Sequence, residues 1–345
     1  LYTRSRYYHL YLNGMYWGIF QSQERSEANF AESYLKGNSD DYDVVKVMGE
    51  DRQLEATDGT LDTWREVWDI TRKGFQNMSN YTQLMGLDVQ GNPNPELIQH
   101  VNAENLIDYV MVIFFTGNYD APTNVWSNNK GVNNFYAIKN RERRREGFIF
   151  FQHDAEHSLL YDKVNVGSGI NENRVNIGFL NNNLKMTVSE FRFFQPQYLH
   201  HKLMENSEYR QTFIDRVYKW YYKEKLFSQE NCQELFSMRS KQIEEAIIAE
   251  SARWGDTKVQ TPRTKNDDWV KAIDQVMNDF FGKRPEIFIS QIKAVDWYPN
   301  FDAPEFYLNS MLTEAYINQP KLNDILIIKN PDNKGAIYYT LDGTD

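Results

Sequence analysis

Asp120, Asp154, Glu156 and Asn134 are the residues of this sequence whose types and spacing could hold a cation and act on what it carries. Three carboxylates and an amide oxygen drawn to one place repel each other strongly unless a cation sits among them. Oxygen donors of this kind suit a hard divalent ion, Mg²⁺ or Ca²⁺, far better than zinc. Each residue alone has an ordinary reading, because an Asp after a helix is often a turn residue and Asn-rich loops are common. Taken together they favour a metal site, since apolar flanks on both sides hold polar residues that a core would reject.

The elements that must position them can be read locally. Residues 102–115 form a helix: Asn102 is a suitable N-cap, Glu104 sits in the first turn, and Gly117 supplies a left-handed stop. The helix is apolar on almost every side (Leu106, Ile107, Val110, Val112, Ile113, Phe114, Phe115) and is therefore buried, delivering Asn118, Tyr119 and Asp120 from the core. Residues 134–140 and 147–152 read as two strands joined by the charged turn RERRRE. In an antiparallel pair the start of the first strand lies beside the end of the second. Asn134 and Asp154 then meet at the open end, within reach of Asp120, and Glu156 follows two residues later.

The rest of the chain reads as scaffold. Its 345 residues, 41% hydrophobic, can bury a large core, and the length suggests about two domains. A net charge of −10 argues against general binding to nucleic acid or anionic membrane. A single cysteine, Cys232, excludes an internal disulfide framework, and no apolar run is long enough to span a bilayer. No signal peptide is visible, and the chain reads as an excised piece of something longer. Residues 7–12 and 16–21 flank Asn13-Gly14 in a hairpin pattern, with the second strand running on into Gln23, Glu24 and Arg25. Lys46 lies in the short strand 44–47; a lysine there is either an edge residue or a phosphate ligand, and Glu24 either a surface carboxylate or its partner. Residues 77–95 read as a loop-rich connector, and 161–183 as a polar stretch suited to a lid or mobile loop. Helices are expected over 196–205, 208–225, 228–253, 267–281 and 285–294, with His200, His201 and Cys232 as structural residues. Pro299 and Pro304 mark a linker before a β-patterned tail ending GAIYYTLDGTD.

HLYLNGMYWGIF followed by QER, then DYDVVKV, NYD, NNFYAIKN, FFQHDAEHSLL and AESARWGD, together resemble the spore-coat-H (CotH) kinase-like family, closest to its large exported bacterial members. The tail resembles the chitobiase/β-hexosaminidase C-terminal type of β-sandwich, cut short. The resemblance implies an α+β, atypical protein-kinase-like fold over residues 1–302, with a small β-rich N-lobe (1–95) and a mostly helical C-lobe (96–302), followed by a partial β-sandwich module (303–345). It further implies an ATP- and Mg²⁺-dependent protein kinase of the secreted or cell-surface compartment, acting on Ser or Thr of a surface or secreted protein. In that family Asp120 is the catalytic aspartate and Asn134 and Asp154 hold Mg²⁺. Glu156 stands where a second Asp is frequent, Lys46 contacts the nucleotide phosphates, and Glu24 positions it. The long insertion before Asn134 leaves Asn124 and Asn133 as rivals for its role. No G-x-G-x-x-G, H-R-D or D-F-G is present, and Glu156 leaves room for a pseudokinase.

Two other readings exist. His153-Asp154-Ala155-Glu156-His157 fits the zinc signature H-x-x-E-H, which needs both histidines one helical turn apart. The alternative to an enzyme is a cell-surface adhesion module with Ca²⁺ in the acidic pocket and glycan contacts through aromatic residues or the C-terminal module.

Overall fold

Asn13 and Gly14 both take positive φ (52° and 77°), the geometry of a two-residue hairpin turn, and join β1 (Ser5–Leu12) to β2 (Met15–Gln23). The computed structural model describes residues 3–48, 52–163, 167–178, 190–313 and 321–341. The chain divides into two units, Leu1–Trp297 and Tyr298–Asp345. Both helices and small antiparallel sheets are present, so the fold class is α+β.

In the first unit the hairpin is a sheet of its own. A separate antiparallel sheet is built from β3 (Tyr42–Met48), β4 (Gln53–Asp58), β5 (Phe135–Asn140) and β6 (Ile149–Gln152), in the order β4-β3-β5-β6. It therefore takes strands from both sides of residue 95, the expected lobe boundary. Alternation decides its two faces. Tyr42, Val44, Tyr136, Ile138 and Phe151 face α1 (Ala28–Leu35), which buries Ala28, Phe30 and Ala31 against them. On the opposite face Phe148 and Phe150 meet Trp64 of α2 (Asp62–Thr71) at ring separations of 5.2 and 5.9 Å. Tyr109 packs on Phe150 from α4 (Ala103–Thr116), which thus lies under the sheet. Trp64 is fully buried, and truncating such a side chain costs about 3–5 kcal/mol.

The helical part is α5 (Pro196–Leu203), α6 (Ser207–Val217) with the wider-wound Tyr218–Lys223, α7 (Gln229–Lys241), α8 (Ala246–Trp254), α9 (Val270–Asp274) and α10 (Phe281–Lys293). Four expectations change. Residues 77–95 contain a helix, α3 (Met78–Met85), which Asn77 caps and Gly86 ends; its eight residues are too few for the periodicity to stand out. The single helix expected over 228–253 breaks between Lys241 and Ala246, where Gln242 and Ile243 bond back three residues and Glu244 and Glu245 both face Lys265. Pro285 lies inside α10 rather than opening a new helix. Proline removes one helix bond and crowds the preceding turn, and here that turn follows the wider-wound Gln275–Phe280, so the axis continues.

The fourth concerns the polar stretch 161–183, of which 164–166 and 179–183 lie outside the described residues. The described part is packed, with Glu172, Arg174, Val175 and Ile177 buried. Its backbone polar groups are satisfied from the helices: Arg284 donates to the carbonyls of Ile170 and Glu172, and Gln197 to that of Arg174. No helix among the described residues is long and apolar enough to cross a membrane.

The second unit holds an antiparallel sheet of order β8-β7-β9, formed by β7 (Glu305–Leu308), β8 (Met311–Thr313) and β9 (Leu326–Lys329). A second facing sheet is not found among the described residues, and residues 336–340 of the patterned tail are in no strand.

Candidate functional site

Asp120 reaches its place because α4 stops where it does. Asn102 caps the first turn by accepting from the Asn105 N–H at 2.9 Å, and Gly117 at φ 64° ends the helix with its N–H on the Ile113 carbonyl. Arg284, fully buried, donates to the Phe114 and Phe115 carbonyls that the helix end leaves open. Beyond the stop, the Asn118 side chain accepts from the Asp120 N–H at 3.0 Å and closes a tight turn. Asp120 is buried, and two amides grip it. Asn133 Nδ2 donates to its Oδ1 at 2.7 Å and to its carbonyl at 2.6 Å, and Asn134 Nδ2 donates to its Oδ2 at 2.8 Å.

Burial pushes the Asp120 carboxyl above its ordinary pKa; His157 and Arg52 oppose that shift, Asp154 adds to it, and the Asn134 hydrogen bond opposes it. Of the three rival asparagines, Asn124 is engaged elsewhere, capping a short turn at Ser127. Asn133 and Asn134 both belong to the cluster, each donating with nitrogen and so keeping Oδ1 as the end that could face a cation.

The backbone marks the two strand ends. Asn134 just before β5 and Asp154 two residues past β6 both sit in the left-handed region, at φ 39° and 53°. Asn and Asp tolerate that region best, and such outliers gather at functional sites. Asp154 lies beside Glu156, whose carboxyl is raised by its partial burial and then by Asp154. Asp120, Glu156 and His157 each present one ligand atom, all within 4.8 Å of one another. Asp154 acts on this group through its charge while its own side chain is exposed. Asp120, Asn134 and Glu156 thus fall in one cluster with His157, and Asp154 borders it as the neighbour of Glu156.

His157 had a signal in the sequence only as half of a zinc motif. That motif is not formed, since residues 153–157 contain no helix and His153 turns to Tyr136 at a ring separation of 5.2 Å. His157 instead meets the Tyr119 hydroxyl through Nδ1 at 3.1 Å.

Lys46 lies opposite Tyr136 in the β3–β5 register, two residues along from Asn134, so it belongs to the same end of the sheet. It is buried, with Nζ 2.9 Å from the Tyr136 hydroxyl and 3.7 Å from Glu27 Oε1. Glu24 is not its partner. The Glu24 carboxylate accepts from the Arg4 N–H at 2.9 Å and the Tyr34 hydroxyl at 2.5 Å, contacts that hold its pKa down. The reason is a boundary: β2 ends at Gln23, the chain turns, and Glu27 at the start of α1 is carried over the sheet.

A cleft of about 750 Å³ opens on this end, lined by Gln21, Asn105, Asp108, Val112, Asp154 and Glu156. Asn105, Asp108 and Val112 are spaced at i, i+3, i+7, so α4 has one partly polar stripe rather than being apolar all round, and Val112 is 38% exposed. The hairpin that supplies Gln21 is held by α8: Glu250 accepts from the Ile19 N–H at 2.7 Å, and Trp254 donates to the Trp17 carbonyl at 2.6 Å. A larger hollow of about 950 Å³, lined by Trp254, Arg263 and Trp269 among others, contains none of the candidate site residues, though Glu250, Ser251, Trp254 and Gly255 of the AESARWGD stretch line it.

Only Asp154 and Glu156 of the candidate site line the smaller cleft; Asp120, its two asparagines, His157 and Lys46 lie outside its walls. Together a buried lysine, a gripped aspartate and a neighbouring carboxylate and imidazole can bind an anion with a divalent cation and take a proton beside them. The family described as CotH kinase protein matches residues 1–288 of the chain. No curated protein matches it.

Proposed function

The chain belongs to the CotH kinase protein family, and on that premise we propose that it transfers the γ-phosphate of ATP to Ser or Thr of a surface or secreted protein. The observation that carries this reading is the double grip of Asn133 and Asn134 on Asp120 at the end of the sheet where Lys46 lies. Phosphoryl transfer asks little covalent chemistry of a protein; it asks for positioned charge around the phosphates and a carboxylate at the acceptor hydroxyl.

In this reading Asp120 accepts the hydroxyl proton, helped by a carboxyl whose proton affinity burial has raised. Lys46 meets the phosphates, steadied by Tyr136 and Glu27. The donor set of carboxylates with amide oxygens fits a divalent ion, which Asn134, Asp154 and Glu156 would hold; when bound it would neutralise charge on the phosphates. Secretion or display at a cell surface is part of the proposal.

The test is labelled-phosphate transfer from ATP, autophosphorylation included, with Asp120→Ala as control. Incorporation by the wild type that falls by about 10³-fold in the variant supports the reading. Calorimetry with ATP and Mg²⁺ gives the other branch: a folded wild type without nucleotide affinity favours a cation-binding adhesion module, with Ca²⁺ in the same pocket.

A further inference from the structure

We infer that His157 is a ligand of the cation at this centre, so that the site prefers a divalent first-row transition ion, Mn²⁺, to Mg²⁺. The inference rests on reading the Asp120 group as a cation site and adds to it the identity of one donor and of the ion. Glu156 and His157 present ligand atoms within 4.8 Å of each other and of the Asp120 carboxylate, which stands beside the ion as the base. Donors around an octahedral ion with bonds of about 2.1 Å stand roughly 3–4 Å apart, so small movements close the set.

The imidazole is held for that role. Tyr119, next to Asp120 in sequence, takes Nδ1 at 3.1 Å, and its ring and that of Trp126 each lie 5.0 Å from the imidazole. Nε2 is then the nitrogen on the carboxylate side, 3.7 Å from Glu156 Oε1. A ligating histidine ordinarily has its second ring nitrogen engaged in this way, which fixes the ring and its tautomer.

The donor set decides the ion. Mg²⁺ and Ca²⁺ take oxygen ligands, and an imidazole nitrogen raises the standing of transition ions. Zinc in a closed site prefers nitrogen and sulfur in a tetrahedron. Mn²⁺ accepts carboxylate, amide and phosphate oxygens as Mg²⁺ does and takes a nitrogen more readily, so it sits where the two preferences overlap.

Pulsed EPR of the whole chain loaded with Mn²⁺ tests this directly, because a coordinated imidazole imprints its nitrogen on the electron spin echo. Nitrogen modulation is expected in the wild type, lost in His157→Gln and kept in His153→Gln. Titration of Mn²⁺ against Mg²⁺ should show the Mn²⁺ preference falling about tenfold or more in His157→Gln. Tyr119→Phe leaves the ligand and removes its hydroxyl partner, so the modulation stays while Mn²⁺ affinity drops about tenfold.

Mn²⁺ bound by the wild type without nitrogen modulation overturns the inference, as does modulation that survives in His157→Gln. The wild-type spectrum alone can sink it, whatever the variants do. A wild type that takes no Mn²⁺ but binds Mg²⁺ and ATP in calorimetry overturns the role of His157 and leaves the proposed kinase intact. Loss of ATP binding as well removes both.

Discussion

Lys46 and its partner show how far a single residue can be read from sequence. Its position in a short buried strand was legible, whereas a carboxylate partner came only from the family resemblance, which pointed to Glu24. Which carboxylate it is was not legible, because Glu24 and Glu27 differ by three residues and the chain changes from strand to helix between them. The distinction is measurable. Glu27 lies 3.7 Å from a lysine that is itself buried, whereas Glu24 is spent on Arg4 and Tyr34. An ion pair at 3.7 Å with one partner partly exposed contributes up to about 1 kcal/mol. Glu27→Gln should raise the KM for ATP up to about fivefold, while Glu24→Gln should leave it within about twofold. Steady-state kinetics on both variants decides, and equal effects would mean the Lys46 environment has been misread. His157 is the opposite case. Nothing in the sequence tied it to Asp120, because the contact depends on a turn whose course no local pattern fixes.

At the scale of elements, the reading was right where the signal is local and failed where tertiary contacts decide. The caps of α4, the Asn13-Gly14 turn and the β5–β6 pair each depend on a few neighbouring residues. At Pro285 and residues 242–245 long-range partners and wider winding override local preference. The end of α4 carries the most consequence, since Asp120 comes three residues after Gly117. Gly117 sits at φ 64°, where an L side chain costs about 1–2 kcal/mol, and an added Cβ would stand 3.3 Å from that of Glu172. Gly117→Ala should therefore lower unfolding free energy by about 1–2 kcal/mol in urea titration. It should also lower kcat more than it raises KM, because it displaces Asp120 and leaves Lys46 in place. A stable variant with unchanged kcat would show that the loop takes its shape from Asn118 and Arg284 instead.

Across the whole first unit, the helical core carries a pH dependence that belongs to no catalytic residue. His200 and His201 are buried among Phe114, Tyr209, Phe213 and Trp297, with His200 Nδ1 on the Tyr209 hydroxyl at 2.9 Å. Burial lowers both, His200 well below its ordinary value and His201 to about 3. Below an unfolded-state pKa of about 6.5 the open chain takes up protons that the folded core refuses. The contribution of these histidines is thus fully present above about pH 6.5. It is lost as pH falls, by up to about 1.4 kcal/mol per pH unit for each residue. Carboxyls with raised pKa, such as Asp120 and Glu156, act in the opposite sense, so the total slope alone does not isolate the pair. A difference measurement does. In urea unfolding between pH 6.5 and 5, His201→Phe should lose stability with falling pH about 1 kcal/mol per unit less steeply than the wild type. Phenylalanine keeps the aromatic volume that Trp297 packs against at a ring separation of 4.8 Å, so the variant tests protonation rather than a cavity. Parallel stability curves for the two proteins would mean that the imidazole is reached by water or protonated in place, and the core around Trp297 would then be looser than its burial indicates.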